Sequence, residues 1–263
     1  MSAPETIELE QRIRAPRRLI WEACASAPGL ANWQADIANG DARAGGSFTL
    51  EWPAFGARVQ LEIVEWVPFE RLALRNAQTL VRFVVRDGAL ELSHRGVQPE
   101  DDAEGLASSW RVALAGLAHS VERHPGRTRR VEWAVRRMQA SPETAYLFFT
   151  EPHCLDLWLT HGAAQGQEGD AFRLLLRNSS LLEGRVLARV EGRDVALVVR
   201  SHQDSLLTLR TMPFGGLSGE RGRLVALVWS EWGGPSRQNA RVVQGLKPAL
   251  AALERALIRG GAA

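Results

Sequence analysis

The 263-residue chain is 45% hydrophobic and 24% charged, ordinary values for a folded globular protein that exclude disorder, collagen and a disulfide scaffold. Its net charge is only +2, and its length suits two domains of about 130 residues better than one. A single lysine, Lys247, stands among the 32 basic residues and is followed by Pro248, so no Gly-Lys-Ser/Thr step exists for a Walker-type phosphate loop.

No stretch approaches the ~18–20 uninterrupted apolar residues of a membrane span, so no membrane insertion is expected. The N-terminal MSAPETIELEQ lacks the basic start and apolar core of a secretion signal, and the expected location is the cytoplasm. Cys24 and Cys154 are too far apart in sequence for a CxxC zinc site. They read as small buried hydrophobes in a reducing compartment.

In chain order, IELEQRIR alternates as a strand. A short helix follows Pro16, and a second after Pro28 ends in Trp33. Phe48, Leu50 and Trp52 then alternate with polar residues, as do Val59, Leu61 and Ile63. LALR, TLVRFVVR and ALELSH continue the run, separated by turn signals at Gly45-Gly46, Pro53 to Gly56, Pro68 and Asp87-Gly88. Leu106, Trp110, Leu114, Leu117 and Val121 recur at helical spacing and predict a long closing helix. His124-Pro125-Gly126 breaks it, so domain 1 is expected over 1–125 and domain 2 over 126–263.

The second half restarts the pattern. Pro142, Pro152 and Trp158 follow Pro16, Pro28 and Trp33 at offsets of 126, 124 and 125, which implies duplication of a domain. AFRLLLR, EGRVLARVEG, DVALVVRS, SLLTLRTM and GRLVALVWSEW predict strands, punctuated by Gly192 and by Gly215 to Gly222. Ala240, Val243, Leu246, Leu250, Leu253 and Leu257 predict the closing helix, with a kink at Pro248. Residues 1–125 carry 13 basic and 17 acidic residues, a balance of −4, and residues 126–263 carry +6. The arginines of the second half, such as Arg185, Arg189, Arg193 and Arg200, are spread singly along strands. They read as solvated faces and not as the clustered patch of a nucleic-acid binder, so no nucleic-acid partner is expected.

Each half thus reads strand, two short helices, a run of antiparallel strands, long helix: an α+β arrangement of one sheet with one helix across it. This order resembles the helix-grip fold of the START-related superfamily, also called SRPBCC. GLANW, ARAGGSFTLEW, RVQLEIVEWVPFERLAL, LSHRGV and SSWRVALAGLAHSVE, over residues 5–123, resemble the bacterial family named for homology to the activator of the 90-kDa heat-shock chaperone's ATPase. The second half resembles it in element order and in its Pro-Trp opening, as a divergent tandem copy. The resemblance implies, in each half, a curved sheet gripping the last helix around a hydrophobic cavity.

On this reading the ligand-binding candidates are Trp33, Phe48, Trp52, His94 and Trp110 in the first half, and Trp158, Trp229 and Glu231 in the second. The tryptophans either fill core or line cavity. His94 shares a strand face with Leu90 and Leu92, as a hydrogen-bonded structural residue or as an acid–base group at the cavity edge. Glu231 continues the face of Val225, Leu227 and Trp229, and must find an arginine there or sit at the mouth. His153, Cys154, Asp156 and His161 lack a compact ligand set, and no metal is expected. Ser218 in GGLSGE lacks the glycine of a nucleophile elbow, and no GxGxxG opens a helix, so no cofactor is expected. The expected function is non-enzymatic binding of a hydrophobic small molecule, lipid- or polyketide-like. The alternatives are a cyclase- or hydrolase-type enzyme using His94 or Glu231, and an adaptor with a protein partner in chaperone or stress responses.

Overall fold

In the computed structural model, which describes residues 5–77, 79–98, 102–213, 223–234 and 236–260, the chain forms two compact units, Met1–Arg129 and Arg130–Ala263. Gly215 to Gly222, with Ser218, lies outside the described residues. Among the described residues, no helix is long and apolar enough to cross a membrane.

Unit 1 runs β1 (Glu5–Arg12), α1 (Arg17–Cys24), α2 (Ala27–Ala31), β2 (Ile37–Gly40), β3 (Ser47–Trp52), β4 (Ala57–Val67), β5 (Arg71–Asn76), β6 (Thr79–Arg86), β7 (Ala89–Val97) and α3 (Ala103–Arg123). Its strands form one antiparallel sheet in the order β1-β7-β6-β5-β4-β3-β2. Consecutive strands are neighbours because tight turns join them. The β6–β7 turn needs Gly88, whose φ of +77° is costly for any residue with a Cβ. Unit 2 repeats this with β8 (Arg130–Met138), α4 (Pro142–Thr150), α5 (Pro152–Trp158), β9 (Thr160–Gln165), β10 (Ala171–Leu176), β11 (Leu181–Val190), β12 (Asp194–Val199), β13 (Ser205–Pro213), β14 (Arg223–Glu231) and α6 (Arg237–Gly260). Its sheet order is β8-β14-β13-β12-β11-β10-β9. The units are two tandem helix-grip domains.

The duplication extends to irregularities. The long strand β4 breaks register between Ile63 and Glu65, and its counterpart β11 between Val186 and Ala188. An extra residue in one strand bends it and increases its twist, which curls a sheet toward a packing helix. Against unit 1's sheet, α3 lays Trp110, Leu114, Leu117 and Val121, all buried. Against unit 2's sheet, α6 lays Val242, Leu246, Leu250, Leu253 and Leu257.

Here the structure corrects the sequence phasing. Ala240 is exposed and Val243 half-buried, while Asn239 and Val242 face in. The first inward position of α6 is polar because Asn239 has a buried partner, described below. Pro248 lies within α6, which continues through it from Arg237 to Gly260. The single-arginine reading also needs correction at Arg189. Its Nε donates to the Tyr146 hydroxyl at 2.6 Å, its guanidinium lies 5.5 Å from that ring's centre, and a further N–H reaches the Gly166 carbonyl at 2.9 Å. The side chain is a fastener between β11 and α4.

The last residue of unit 1 is anchored to it. Arg129 donates to the carbonyls of Trp33 (3.3 Å) and Ala35 (2.5 Å), lies 3.9 Å from Asp36, and donates its backbone N–H to Asn32 Oδ1 at 2.7 Å. Burial pulls the guanidinium down to about 10, with Asp36 partly opposing. It therefore stays charged at neutral pH and satisfies backbone carbonyls in the turn that follows α2.

Candidate functional site

In unit 1 the sequence-predicted residues divide. Trp110 on α3 and His94 on β7 meet directly: the indole N–H donates to His94 Nδ1 at 2.9 Å. With Nδ1 accepting, the imidazole is assigned as the neutral tautomer protonated on Nε2. Trp33 and Phe83 close the group, with ring centres 6.4 and 6.2 Å from Trp110, tilted and edge-to-face. Such pairs add about 0.5–1.5 kcal/mol beyond burial. Phe48 is fully buried in the same core, but Trp52 sits at its edge, half-buried, stacked on Phe55 at 6.3 Å and donating to the Gln34 carbonyl.

Two of the predicted tryptophans do the same job in each copy. Trp33 donates its indole N–H to the Ala23 carbonyl at 3.0 Å, and Trp158 donates to the Phe148 carbonyl at 2.9 Å, each ten residues back. In both units this bond ties the end of the second short helix to the first, and it accounts for a Trp at each of these positions. Cys24 is buried, which pushes its thiol far up; Cys154 is raised by burial and then by Glu151. Neither is set up as a thiolate. Among the described residues, no group of His, Cys, Asp and Glu could hold a metal ion.

In unit 2, Glu231 found its arginine and two further donors. Its Oε1 lies 3.3 Å from Arg130, and its Oε2 accepts from Asn239 at 2.5 Å and from the Trp229 indole at 3.3 Å. The carboxylate is buried, and these bonds join β8, β14 and the start of α6. His202, which the sequence reading passed over, lies edge-on to Trp229 at 5.8 Å, 1% exposed, with Nδ1 3.0 Å from Ser201 Oγ. It lies in the short turn Arg200–His202 that follows β12, outside any periodic run, so no pattern signalled its burial.

Burial lowers the His202 pKa from the ordinary 6.5. A histidine whose folded pKa is lowered takes up its proton more readily when unfolded, so stability is lost as pH falls below the unfolded pKa. The unfolding temperature of unit 2 is expected to drop by a few degrees between pH 7 and pH 5. Phenylalanine at 202 keeps the ring packing and should remove most of that slope in calorimetry at several pH values. His153 and His161 are exposed and should not substitute for it.

Unit 2 also holds a cleft of about 680 Å³ along one face of α6. Trp158, Leu159, Leu176, Leu246, Ala249 and Ala252 form its apolar floor. Arg177, Arg241 and Arg255, with Asn178 and Gln244, form its polar rim. Gly245 belongs to this wall: a Cβ there would come within 2.7 Å of Asn178 Nδ2, whose amide donates to the Arg241 carbonyl at 2.8 Å. Of the eight predicted residues, Trp158 lines this cleft; Trp229 and Glu231 do not.

Residues 14–122 match the family model described as activator of Hsp90 ATPase homolog 1-like protein. No curated protein matches the chain. Among solved structures, a Chromobacterium violaceum protein is 24% identical, covering 45% of this chain and 99% of its own, with a TM-score of 0.40. The Aha1 dimer from Colwellia psychrerythraea is 16% identical, covering 46% and 98%, with a TM-score of 0.42. DynU16, from the dynemicin biosynthetic locus, is 17% identical, covering 95% and 98%, with a TM-score of 0.38. Residues 14–122, which make up most of unit 1, thus match the activator of Hsp90 ATPase homolog 1-like family, and unit 2 repeats the same strand order.

Proposed function

We propose that the protein binds a hydrophobic small molecule, without turning it over, and that unit 2 holds that molecule in the cleft along α6. The observation that carries this reading is the cleft itself. Its volume of about 680 Å³ falls within the roughly 300–1,000 Å³ of small-molecule sites, and an apolar floor with a few polar groups is their usual composition. Binding draws on removal of apolar surface from water, at about 25 cal/mol per Å², chiefly from Pro248, Ala249 and Ala252, since Trp158 and the leucines beneath them are already buried. In unit 1 the same reading assigns Trp33, Phe48, Trp52, His94 and Trp110 to the wall of a ligand site, His94 orienting the ligand.

The acid–base enzyme is the weaker reading. His94 Nδ1 already accepts the Trp110 N–H, and Glu231 already accepts from three donors. A carboxylate held this way is suited to rigidity more than to exchanging a proton with substrate. The charge difference between the halves remains the support for a protein partner, and such a contact would weaken with salt.

The test is titration with the neutral fluorophore N-phenyl-1-naphthylamine. Saturable binding is expected, with one equivalent per chain held in the unit 2 cleft. Ala252→Trp, which places an indole over the floor at a half-buried position, should weaken it at least tenfold without lowering the unfolding temperature. Absence of binding, or binding that Ala252→Trp leaves intact, removes the proposal.

A further inference from the structure

We infer that the occupant of the unit 2 cleft is an amphiphile with an anionic head group, carboxylate or phosphate, and that the head lies at the Arg177–Arg241 end. This rests on the ligand-binding reading above and adds the ligand's chemical class.

The lining is one-signed. Of its thirteen residues three are arginines and none is acidic. Elsewhere in the unit three arginines are paired with acids: Arg173 with Glu183, Arg136 with Glu254, Arg130 with Glu231. The Arg241 and Arg255 side chains make no hydrogen bond or ion pair with the described residues, although both stand on the rim. Arg177 is oriented instead of neutralised: its guanidinium donates to the backbone carbonyl of Asp156, at the wall formed by α5. An arginine held on a carbonyl keeps its charge and its remaining donors, and guanidinium groups suit carboxylate and phosphate because they present paired N–H donors.

Position follows from the turn between β10 and β11. Asn178 donates to the Arg241 carbonyl, so the turn carrying Arg177 is fastened to α6 at Arg241. Gly245, one helical turn on, lets that turn approach. Arg255 lies fourteen residues further along the helix, about 21 Å at 1.5 Å per residue. Between them run Leu246, Ala249 and Ala252, which would lie under the chain of a ligand whose head sits at Arg177 and Arg241. The site thus gathers two of its arginines at one end and runs apolar along its length, the complement of an amphiphile whose head sits at that end, with Arg255 alone at the far end.

The experiment compares four ligands with the same alkyl chain: dodecanoate, dodecyl phosphate, dodecanol and dodecylammonium, each displacing N-phenyl-1-naphthylamine from the full chain. Either or both anions should bind at least tenfold more tightly than the alcohol, and the ammonium more weakly than the alcohol. A preference for one anion over the other tells a fatty-acid-like from a phospholipid-like source. The anion preference should shrink as salt rises, while alcohol binding should not. Arg241→Glu, an exposed side chain with no partner to lose, should abolish the preference; Arg241→Lys should retain part of it. Equal affinity for anion, alcohol and ammonium, or a preference that survives Arg241→Glu, overturns the inference while leaving the hydrophobic site in place. If no alkyl ligand displaces the fluorophore, or none binds, the inference fails together with the reading beneath it.

Discussion

Replacing Trp110 with alanine is expected to destabilise unit 1 by about 3–5 kcal/mol, the range for emptying a buried aromatic position, and to lower its unfolding temperature by roughly 10–20 °C. Trp110 contributes in three ways. It is buried between α3 and the sheet, it packs against Trp33 and Phe83, and it donates to His94. Alanine removes all three, and Trp33 cannot follow the vacated space because its own indole is held on the Ala23 carbonyl. Phenylalanine keeps a ring and removes the N–H, so Trp110→Phe should cost only about 1–2 kcal/mol. Urea unfolding of the two variants separates the two roles the sequence left open for this residue. A full alanine cost marks a ring whose main role is packing the core. A cost below about 1 kcal/mol would mean that part of the ring already faces open space and acts as cavity wall, since an unfilled wall loses few contacts when truncated.

Much of this architecture was written in local patterns, and what escaped has identifiable causes. Alternation marked the strands with one wet and one dry face, such as β3 and β10, whose exposures alternate residue by residue. The edge strands β2 and β9 passed unread because IANG and THGAAQ are mostly exposed and carry no alternating apolar set. The heptad-like spacing of α3 gave its buried face correctly. That of α6 was misphased at its start, because the inward position is Asn239 and a hydrophobicity pattern does not register a polar residue with a buried partner.

The candidate site was less legible for a related reason. Six of its eight predicted members were large aromatics, and two of them, Trp33 and Trp158, also staple one short helix to the next. The cleft is built from residues that carry no motif: a glycine in mid-helix, small alanines, and arginines that only the fold gathers. Arg177 and Arg241 are 64 positions apart in sequence, and no spacing rule joins them. Their approach depends on one side-chain amide, that of Asn178.

Glu231 offers the second large effect, and it decides whether this carboxylate is a fastener or a reagent. Asn239 is the third residue of α6, its backbone N–H donating to the Ser236 hydroxyl at 3.0 Å, so the Glu231 charge lies at the helix N-terminus, where the helix dipole favours an anion. Glu231→Leu takes the acceptor from two buried donors, Asn239 Nδ2 and Trp229 Nε1, and should destabilise unit 2 by about 3–4 kcal/mol. Arg130 is half-exposed and can return to water, so it adds little. Glu231→Gln keeps an acceptor but turns an N–H₂ toward one of the donors, for a cost of about 1–3 kcal/mol. A double-mutant cycle with Asn239→Ala should show a coupling of about 1–2 kcal/mol, the mark of a direct bond. A reactive group would behave in the opposite way. Functional sites tend to hold groups whose replacement leaves the fold as stable or more so, so a Glu231→Gln chain with an unchanged unfolding temperature and no coupling to Asn239 would restore Glu231 as the acid–base candidate. The three donors converging on one buried carboxylate favour the first outcome, because neutralising that group breaks contacts from β8, β14 and α6 at once.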